Sequence, residues 1–340
     1  MMDDAAVERI LVLRRHNHIG DMLCSLPLFA ALRKRWPSAS ITLLATPTRY
    51  PIPLHEVNPF IDVVEYYEKG TLGEVLRVHR SLRKRRFDLA IVPSTIAISR
   101  TSHLTAFFSG ARIRVGIRSL DGTKNPLHRF LNVKADVHWN GEHVHQEERN
   151  REIASLVGCE ISAEEIRALR IPRPADEDRL VSETLGTWAA GRPLIGVHPG
   201  AGKPQNIWPT DRFADILAEL SRAGNGDVLI TGGVLDEAPV SSLSAQLTDR
   251  GIEHRILREL PLPVLSSVFR RMRLYLTNDT GTMHIAAYSG CPTVSLFGPT
   301  ASWEWGPRGE HHRSVQSNDG TMDGIPAERV RLACNSLLNL

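Results

Sequence analysis

The chain has 340 residues, of which 42% are hydrophobic and 23% are charged. These proportions are ordinary for a globular protein and exclude a disordered chain, and the length predicts two domains. No apolar run approaches the roughly 18 residues that span a bilayer, and residues 1–8 are acidic where a signal peptide would be basic and then apolar. The sequence therefore predicts a cytoplasmic protein.

The cysteines exclude two further classes of protein. Cys24, Cys159, Cys291 and Cys334 lie far apart in the chain and form no CxxC pair. This spacing matches neither a zinc site nor a disulfide framework. It favours buried free thiols.

The net charge of +3 is unevenly distributed, because residues 1–150 carry about +7 and residues 151–340 about −4. A field of one sign attracts the opposite charge, so the first half is expected to meet an anionic partner, either a phosphorylated acceptor or an acidic membrane face. The densest cationic run, Arg83 to Arg86, has two interpretations. It is either a solvated helix C-terminus favoured by the helix dipole or part of a binding surface.

Strand-like runs alternate with helical patterns along the first half, which is typical of βαβ units and a parallel sheet. The first strand is Arg9–Leu13, and a helix follows over about residues 21–36. Further strands are predicted at residues 41–44, 61–66, 87–92 and 113–117. The pattern predicts one doubly wound α/β domain.

The alternation starts again after a polar, charge-rich stretch at residues 160–182. The strands of this second series are predicted at residues 194–198, 227–231, 253–257, 274–277 and 293–297. A helix at the end of the chain is expected to pack back across the domains. We therefore predict an N-terminal domain with its linker in residues 1–185, a C-terminal domain in residues 190–325 and a terminal helix in residues 326–340.

Gly20 and Asp21 form the turn between the first strand and the first helix, where an open parallel sheet places its ligands. Gly20 permits a close turn. Asp21 has two interpretations: it caps the helix, or it faces a cleft and takes a proton from an acceptor hydroxyl.

Two loops of the second half could hold phosphate. The loop from His198 to Lys203 is rich in glycine but lacks the Walker A spacing, and a simple chain reversal is an equal alternative. The segment from Asn278 to His284 joins a strand to a helix whose N-terminus offers free N–H groups to a diphosphate. In that segment Thr280 and Gly281 would contact phosphate and Asp279 the sugar. The alternative there is an Asp cap and a core histidine.

Taken together, these segments resemble glycosyltransferase family 9, the bacterial heptosyltransferases, over nearly the whole chain. The matching pieces occur in the order of the family, and the last two in the following list are the most specific. They are Ile10–Leu13 with Ile19–Asp21, Leu26–Pro27, Leu32–Pro37, His198–Ala201, Trp208–Pro209 with Arg212–Phe213, Asp279–Gly281 with His284–Ala287, and Leu296–Thr300. A weaker match places His145 with Glu148, Arg149 and Asn150.

The resemblance implies a GT-B enzyme, with two Rossmann-like domains that face each other across a cleft. The first would bind an anionic glycan or glycolipid acceptor and the second a nucleotide sugar, with ADP-heptose favoured. It implies inverting transfer with Asp21 as general base, no cofactor and no metal ion, and no nucleic-acid partner. Peripheral contact with the inner membrane face is also expected.

The motifs, the cationic run and the resemblance together divide the candidate residues between the two expected substrates. The donor site comprises His198, Gly200, Lys203, Asn206, Asp279, Thr280, Gly281 and His284. The acceptor site comprises Gly20, Arg83, Arg85, His145 and Arg149.

One position departs from the family, which often has lysine where this chain has Asn206. Lys203 is therefore a candidate for the missing cation. The Asp-x-Asp at residues 176–178 lies in the charged linker, away from any predicted strand end, and is interpreted as a solvated run. Three alternatives stay open: another GT-B transferase, an epimerase that uses a different nucleotide sugar, or a catalytically silent nucleotide-sugar-binding protein.

Overall fold

The computed structural model describes residues 7–14, 18–47, 53–67 and 70–339. The chain forms two compact units, residues 1–169 and residues 170–340. Residues 1–6 of the acidic N-terminus and Leu340, the last residue of the predicted terminal helix, lie outside the described residues.

The first unit is built on a sheet in which the strand order is β3-β2-β1-β4-β5-β7, all parallel, with β6 antiparallel to β5. Its strands are β1 (Arg9–Leu13), β2 (Ser40–Ala45), β3 (Val63–Tyr66), β4 (Leu89–Ile91), β5 (Ile113–Leu120), β6 (Thr123–Lys124) and β7 (Val133–Val137). Its helices are α1 (Ile19–Leu23), α2 (Leu26–Arg35), α3 (Leu54–Val57), α4 (Leu72–Lys84), α5 (Arg100–Phe108), α6 (Gln146–Ser155) and α7 (Ala163–Ala168).

The second unit repeats the pattern on a fully parallel sheet of order β10-β9-β8-β11-β12-β13. Its strands are β8 (Leu194–His198), β9 (Asp227–Gly232), β10 (His254–Arg258), β11 (Met272–Asn278), β12 (Thr293–Phe297) and β13 (His312–Gln316). Its helices are α8 (Glu177–Leu185), α9 (Thr210–Arg222), α10 (Glu237–Asp249), α11 (Leu262–Arg271), α12 (Gly281–Ser289), α13 (Ser302–Trp305) and α14 (Ala327–Leu338).

Both sheets follow the Rossmann order, in which the chain starts near the middle, builds one side and then returns to build the other. The reversal falls between β1 and β4 in the first unit and between β8 and β11 in the second. In such sheets ligands bind beyond the carboxyl ends of the strands at this reversal. The fold therefore directs attention to the loops that follow these four strands.

The central strands are apolar because helices cover both faces of a parallel sheet. In the first unit Leu11, Leu13 and Val92 belong to one buried cluster. In the second unit Trp208 is fully buried, its ring lies 4.9 Å from that of Phe213, and its Nε1 donates to the Ile325 carbonyl at 3.1 Å. Trp208 of the Trp-Pro pair noted in the sequence therefore lies in the core of the second unit.

Several elements differ from the sequence-based expectation. The helix predicted over residues 21–36 is two helices, α1 and α2, since Ser25 donates its hydroxyl to the Met22 carbonyl at 2.6 Å and Pro27 lies in the first turn of α2. Strands β6, β7 and β13 were not predicted. β7 and β13 lie at the edges of their sheets, where polar residues are tolerated and the apolar signal is weak.

The charged stretch is divided between the units: Glu165 lies 2.6 Å from Lys34 of the first unit, whereas residues 170–182 make contacts in the second unit. The N–H of Ile171 donates to the Tyr288 carbonyl at 2.9 Å, and Arg270 lies 3.2 Å from Glu177. Asp176 and Asp178 pair with Arg179 and Arg271. These pairs agree with the interpretation of the Asp-x-Asp as a charged surface run.

Helix α14 packs on β11, β12, β13 and α9 of the second unit, and Arg273 donates to the Leu338 carbonyl at 2.9 Å. Packing of this helix across the domains stays a prediction. The four cysteines are buried and free, as expected. Among the described residues, none of the helices is long and apolar enough to cross a bilayer.

Candidate functional site

Asn278, the last residue of β11, ties together the loops that carry the predicted donor residues. Its Nδ2 donates to the carbonyls of Pro199 at 2.9 Å and Gly200 at 3.1 Å, while its Oδ1 accepts from the Trp208 N–H at 3.1 Å. The side chain is fully buried. The loop after β8 and the start of α9 are thus held against the end of β11, a role that the sequence analysis did not assign to Asn278.

Helix α12 begins immediately beyond this junction, with Thr280 as its N-cap and Gly281 as its first residue. The Thr280 backbone is extended and its side chain makes no capping bond; its hydroxyl lies 2.7 Å from that of Thr282. The N–H groups of the first turn have no acceptor within the helix and stand at the positive end of its dipole. This geometry suits a phosphate group.

Asp279 and Asn206 meet in front of α12. The Asn206 Nδ2 donates to Asp279 Oδ2 at 3.4 Å, and Asn206 Oδ1 is buried with no hydrogen-bond partner among the described residues. Burial raises the pKa of Asp279, although the Thr300 hydroxyl and the charge of Lys203 act in the opposite direction. Asn206 therefore contacts the neighbouring acid and offers one buried acceptor atom beside it.

Lys203 and Gly200 lie on the loop that follows β8. Lys203 is exposed, and its positive charge acts to lower the pKa of Asp279. A Cβ on Gly200 would lie 2.0 Å from Oδ1 of Asp236, so only glycine fits there without displacing Asp236. Asp236 is a second residue of this site that the sequence analysis missed.

His198 is buried and its ring is held by its own unit. Nδ1 lies 3.0 Å from the Thr231 carbonyl and Nε2 lies 3.5 Å from Asp236 Oδ2. Burial lowers the pKa of His198, which favours the neutral ring, and the Thr231 carbonyl favours the tautomer with its proton on Nδ1. His198 is therefore hydrogen-bonded to its own sheet through Nδ1, while its unprotonated Nε2 faces Asp236 without donating to it.

His284, one turn into α12, is also buried, and burial lowers its pKa to about 4. Its ring packs edge-to-face on Trp305 at 6.4 Å. The imidazole is therefore neutral at physiological pH and presents a polar but uncharged group on the first turns of α12.

In the first unit, Asp21 lies at the carboxyl end of β1. Helix α1 begins after His18, so Asp21 is its third residue and not its N-cap. Gly20 is buried, and its carbonyl accepts from the Cys24 N–H at 2.9 Å. The capping interpretation of Asp21 is thereby not supported, and its side chain is 7% exposed beside Arg14.

A small cavity adjoins Arg14 at the ends of β1 and β4, and Ser94 and Thr95 contribute to its walls. Ser94 has a φ of 49°, a conformation that non-glycine residues rarely adopt. Strained residues of this kind occur often at binding sites. The cavity makes the β1–β4 reversal the candidate acceptor side of the first unit.

Of the predicted acceptor residues, His145 and Arg149 lie at this same edge but are buried. His145 is the N-cap of α6 and accepts from the Glu147 N–H at 3.2 Å. Arg149 is 1% exposed and donates to the carbonyls of Thr95 and Val144, both at 2.8 Å. This burial argues against direct contact between Arg149 and an acceptor and gives it a role in holding the loop after β4.

Arg83 and Arg85 are not brought to this edge. They lie at the end of α4, which precedes β4, and Arg9 at the start of β1 donates to the Arg85 carbonyl at 3.0 Å. Arg85 also pairs with Glu65. Both arginines therefore stand at the amino ends of the strands, opposite Asp21, which corrects their assignment to the same site as the base.

Three comparisons relate this geometry to known proteins. Lipopolysaccharide heptosyltransferase 2 of Escherichia coli K12 is 30% identical over 292 residues, covering 83% of this chain and 81% of the relative. The structure of E. coli ADP-heptose lps heptosyltransferase II superposes with a TM-score of 0.74 at 25% identity, covering 97% and 98% of the two chains. A family 9 glycosyl transferase from Veillonella parvula shares the fold, with a TM-score of 0.78 at 20% identity over 98% of each chain.

These neighbours, together with the two parallel α/β units, confirm the predicted GT-B fold class. The family model described as glycosyltransferase family 9 (heptosyltransferase) matches residues 75–327. Because this match covers well over half of the chain, the protein belongs to glycosyltransferase family 9, the heptosyltransferases, and is a glycosyltransferase.

Proposed function

We propose that this enzyme transfers a heptose from ADP-heptose to an anionic acceptor of the lipopolysaccharide core, with inversion at the anomeric carbon and without a metal ion. The observation that carries the proposal is the junction at the carboxyl ends of β8 and β11, where the N-terminus of α12 stands beside Asp279 and Asn206. The E. coli relative of similar structure is named for ADP-heptose.

The second unit would bind the donor through this junction. The N–H groups of the first turn of α12, with Thr280 and Gly281, would hold the diphosphate. Asp279 would accept hydrogen bonds from sugar hydroxyls. Lys203 would place its ammonium against the departing diphosphate, so that charge growing in the transition state is stabilised.

The first unit would supply the base. Asp21 takes the proton of the acceptor hydroxyl while the acceptor oxygen forms a bond to the anomeric carbon. The bond from that carbon to the diphosphate oxygen breaks on the opposite face, and ADP leaves with the electron pair. One displacement of this kind inverts the anomeric configuration.

The acceptor is proposed to be anionic because the first half of the chain carries about +7. The predicted cytoplasmic location, with peripheral contact at the inner membrane face, belongs to the same proposal. Arg83 and the exposed neighbours of Arg85 lie at the amino edge of the sheet. In that position they would suit a contact with the membrane better than a role in the reaction at Asp21.

Incubation of the enzyme with ADP-heptose and a purified, heptose-deficient core acceptor tests the proposal. Formation of ADP and a heptosylated product of inverted configuration, unaffected by EDTA, is expected, with UDP- and GDP-sugars poor donors. Release of free sugar without acceptor would indicate an epimerase-like reaction. Binding of ADP without turnover of any donor would indicate a silent nucleotide-sugar-binding protein.

A further inference from the structure

Arg14 is the residue that follows β1, and its backbone N–H extends the β1–β2 pairing by donating to the Leu44 carbonyl at 3.1 Å. Its side chain is only 5% exposed. A buried guanidinium is unfavourable unless it is paired and hydrogen-bonded. What Arg14 binds therefore indicates why it is there.

The guanidinium of Arg14 contacts the helical turn that contains Asp21. Nη2 donates to the Asp21 carbonyl at 2.7 Å and lies 3.6 Å from Oδ1 of the same residue. Because α1 has only five residues, its last carbonyls find no N–H donor within the helix, and Arg14 donates to one of them. One side chain thus fixes the backbone of Asp21 and places a positive charge beside its carboxylate.

Asn150 of α6 holds the arrangement from the other side. Arg14 Nη1 donates to Asn150 Oδ1 at 3.4 Å, and Asn150 Nδ2 donates to the carbonyls of Cys24 at 3.2 Å and Gln146 at 2.8 Å. Cys24 directly follows α1. The short helix is therefore clamped between the end of β1 and the start of α6.

We propose that Arg14 is a positioning residue for the reaction: it keeps the Asp21 carboxylate ionised and fixed in orientation toward the acceptor hydroxyl. This inference rests on the proposed role of Asp21 as general base. A carboxylate that is held in place and kept ionised accepts a proton without first having to be oriented.

Two substitutions separate the charge of Arg14 from its geometry, and a third controls for stability. Arg14→Met removes both, whereas Arg14→Lys keeps the charge but loses the planar fork. Arg114→Met is the matched control. Arg114 also donates to two carbonyls of the first unit, those of Phe130 and Ala111, both at 2.6 Å. It differs from Arg14 in lying at the amino edge of the sheet, away from Asp21.

Turnover, ADP binding and the pH profile of kcat/KM are measured for each variant. Arg14→Met should lower kcat roughly 10²-fold, the cost of a misplaced catalytic group, with ADP affinity unchanged. The acidic limb of its profile should move to higher pH, because loss of the cation disfavours the ionised carboxylate. Arg14→Lys should lower kcat but leave the limb in place, and Arg114→Met should change neither.

The double variant with Asp21→Asn makes the test decisive. If Arg14 acts through Asp21, Arg14→Met should cost little further activity in the Asp21→Asn background. An equal loss in both backgrounds, or an unmoved acidic limb in Arg14→Met, overturns the proposal while leaving the base assignment intact. Wild-type turnover by Asp21→Asn itself would instead refute the base.

If Arg14→Met does not fold, Arg14→Lys decides: a lowered kcat with an unmoved limb supports the proposal, and an unchanged kcat overturns it.

Discussion

Asp21 is largely buried and lies at the carboxyl end of a central strand, where open α/β sheets bind their ligands. The N-cap of its helix is His18, so the side chain of Asp21 is not needed to begin the helix. A change of this carboxylate to an amide also keeps the Asp21 carbonyl and Asn150 as acceptors for Arg14, so it should affect chemistry more than folding.

Asp21→Asn is expected to reduce turnover by roughly 10²–10⁴-fold, the range for loss of a general base, because the amide cannot accept a proton. Steady-state kinetics with saturating ADP-heptose and acceptor measure this effect. The thermal shift produced by ADP should equal that of the wild type, since the candidate donor residues lie in the second unit. Near wild-type turnover at saturation would remove Asp21 from the mechanism.

Lys203 is the second residue on which we expect activity to depend, because its charge acts on Asp279 and the chain has Asn206 where the resemblance led us to expect a lysine. Lys203→Ala should lower turnover and ADP affinity sharply. Addition of Asn206→Lys to that variant should recover much of the loss, since it restores a cation beside the same phosphates.

Arg222→Ala is a suitable control for this pair, because Arg222 is an exposed cation at the end of α9, at the opposite edge of the same unit. It should leave both quantities unchanged. If Lys203→Ala behaves like Arg222→Ala, the N–H groups of α12 suffice for the diphosphate and Lys203 has no compensating role.

Among the elements, the loop after β8 has a strict steric requirement at Gly200. Gly200→Ala should weaken ADP binding at least about tenfold, because its Cβ would lie 2.0 Å from Asp236 Oδ1 and must displace that side chain or the loop. Gly202→Ala, two residues later, meets nothing within 4 Å and should bind ADP like the wild type. Isothermal titration with ADP compares the two, and equal affinities would show that the loop is not part of the donor site.

The N-terminus of helix α12 forms the candidate phosphate site of the second unit. Nine residues of helix begin where the parallel strands β8 and β11 finish, so its unpaired N–H groups are presented at the reversal of the sheet. The short α1 follows β1, the other strand of the corresponding reversal in the first unit, and there the predicted functional group is a side chain. The two reversals thus present different groups, the N–H groups of a helix after β11 and a carboxylate after β1.

At the scale of the whole molecule, the excess positive charge of the first half predicts salt-sensitive acceptor binding. The KM for an anionic acceptor should rise between low and moderate salt, because exposed charges are screened beyond about 8–10 Å. Initial rates across a salt series, at saturating ADP-heptose, measure this dependence. A flat KM would make the uneven charge incidental to acceptor binding.

Arg83→Gln should not change that salt dependence for a short soluble acceptor, because Arg83 lies at the amino edge of the first sheet. A reduced dependence in this variant would restore Arg83 to the acceptor site. The sequence could not assign Arg83 to an edge of the sheet. A run of charged residues shows where it lies along the chain, but not at which edge of the sheet the helix that carries it ends.

The sequence by itself determined the class of the fold and most of its strands. Arg9–Leu13 and Leu194–His198 are predicted with the bounds that the structure has, because buried parallel strands are continuous apolar runs whose signal depends only on neighbouring residues. The ordered motifs likewise led to the family. The edge strand β13, with its polar composition, carried no such signal.

Only the tertiary structure decided which side chains act together. Arg14 and Asn150 are 136 residues apart in the chain yet share the carboxyl end of β1 with Asp21. Asp236, which follows β9, lies beside Gly200 and His198 at the end of the neighbouring strand β8. Arg149, a candidate acceptor ligand in the sequence, is buried and donates to a carbonyl of the loop after β4. Arg83 lies at the amino edge of the first sheet and Asp21 at the carboxyl edge. Such contacts depend on distances in space that local periodicity does not encode.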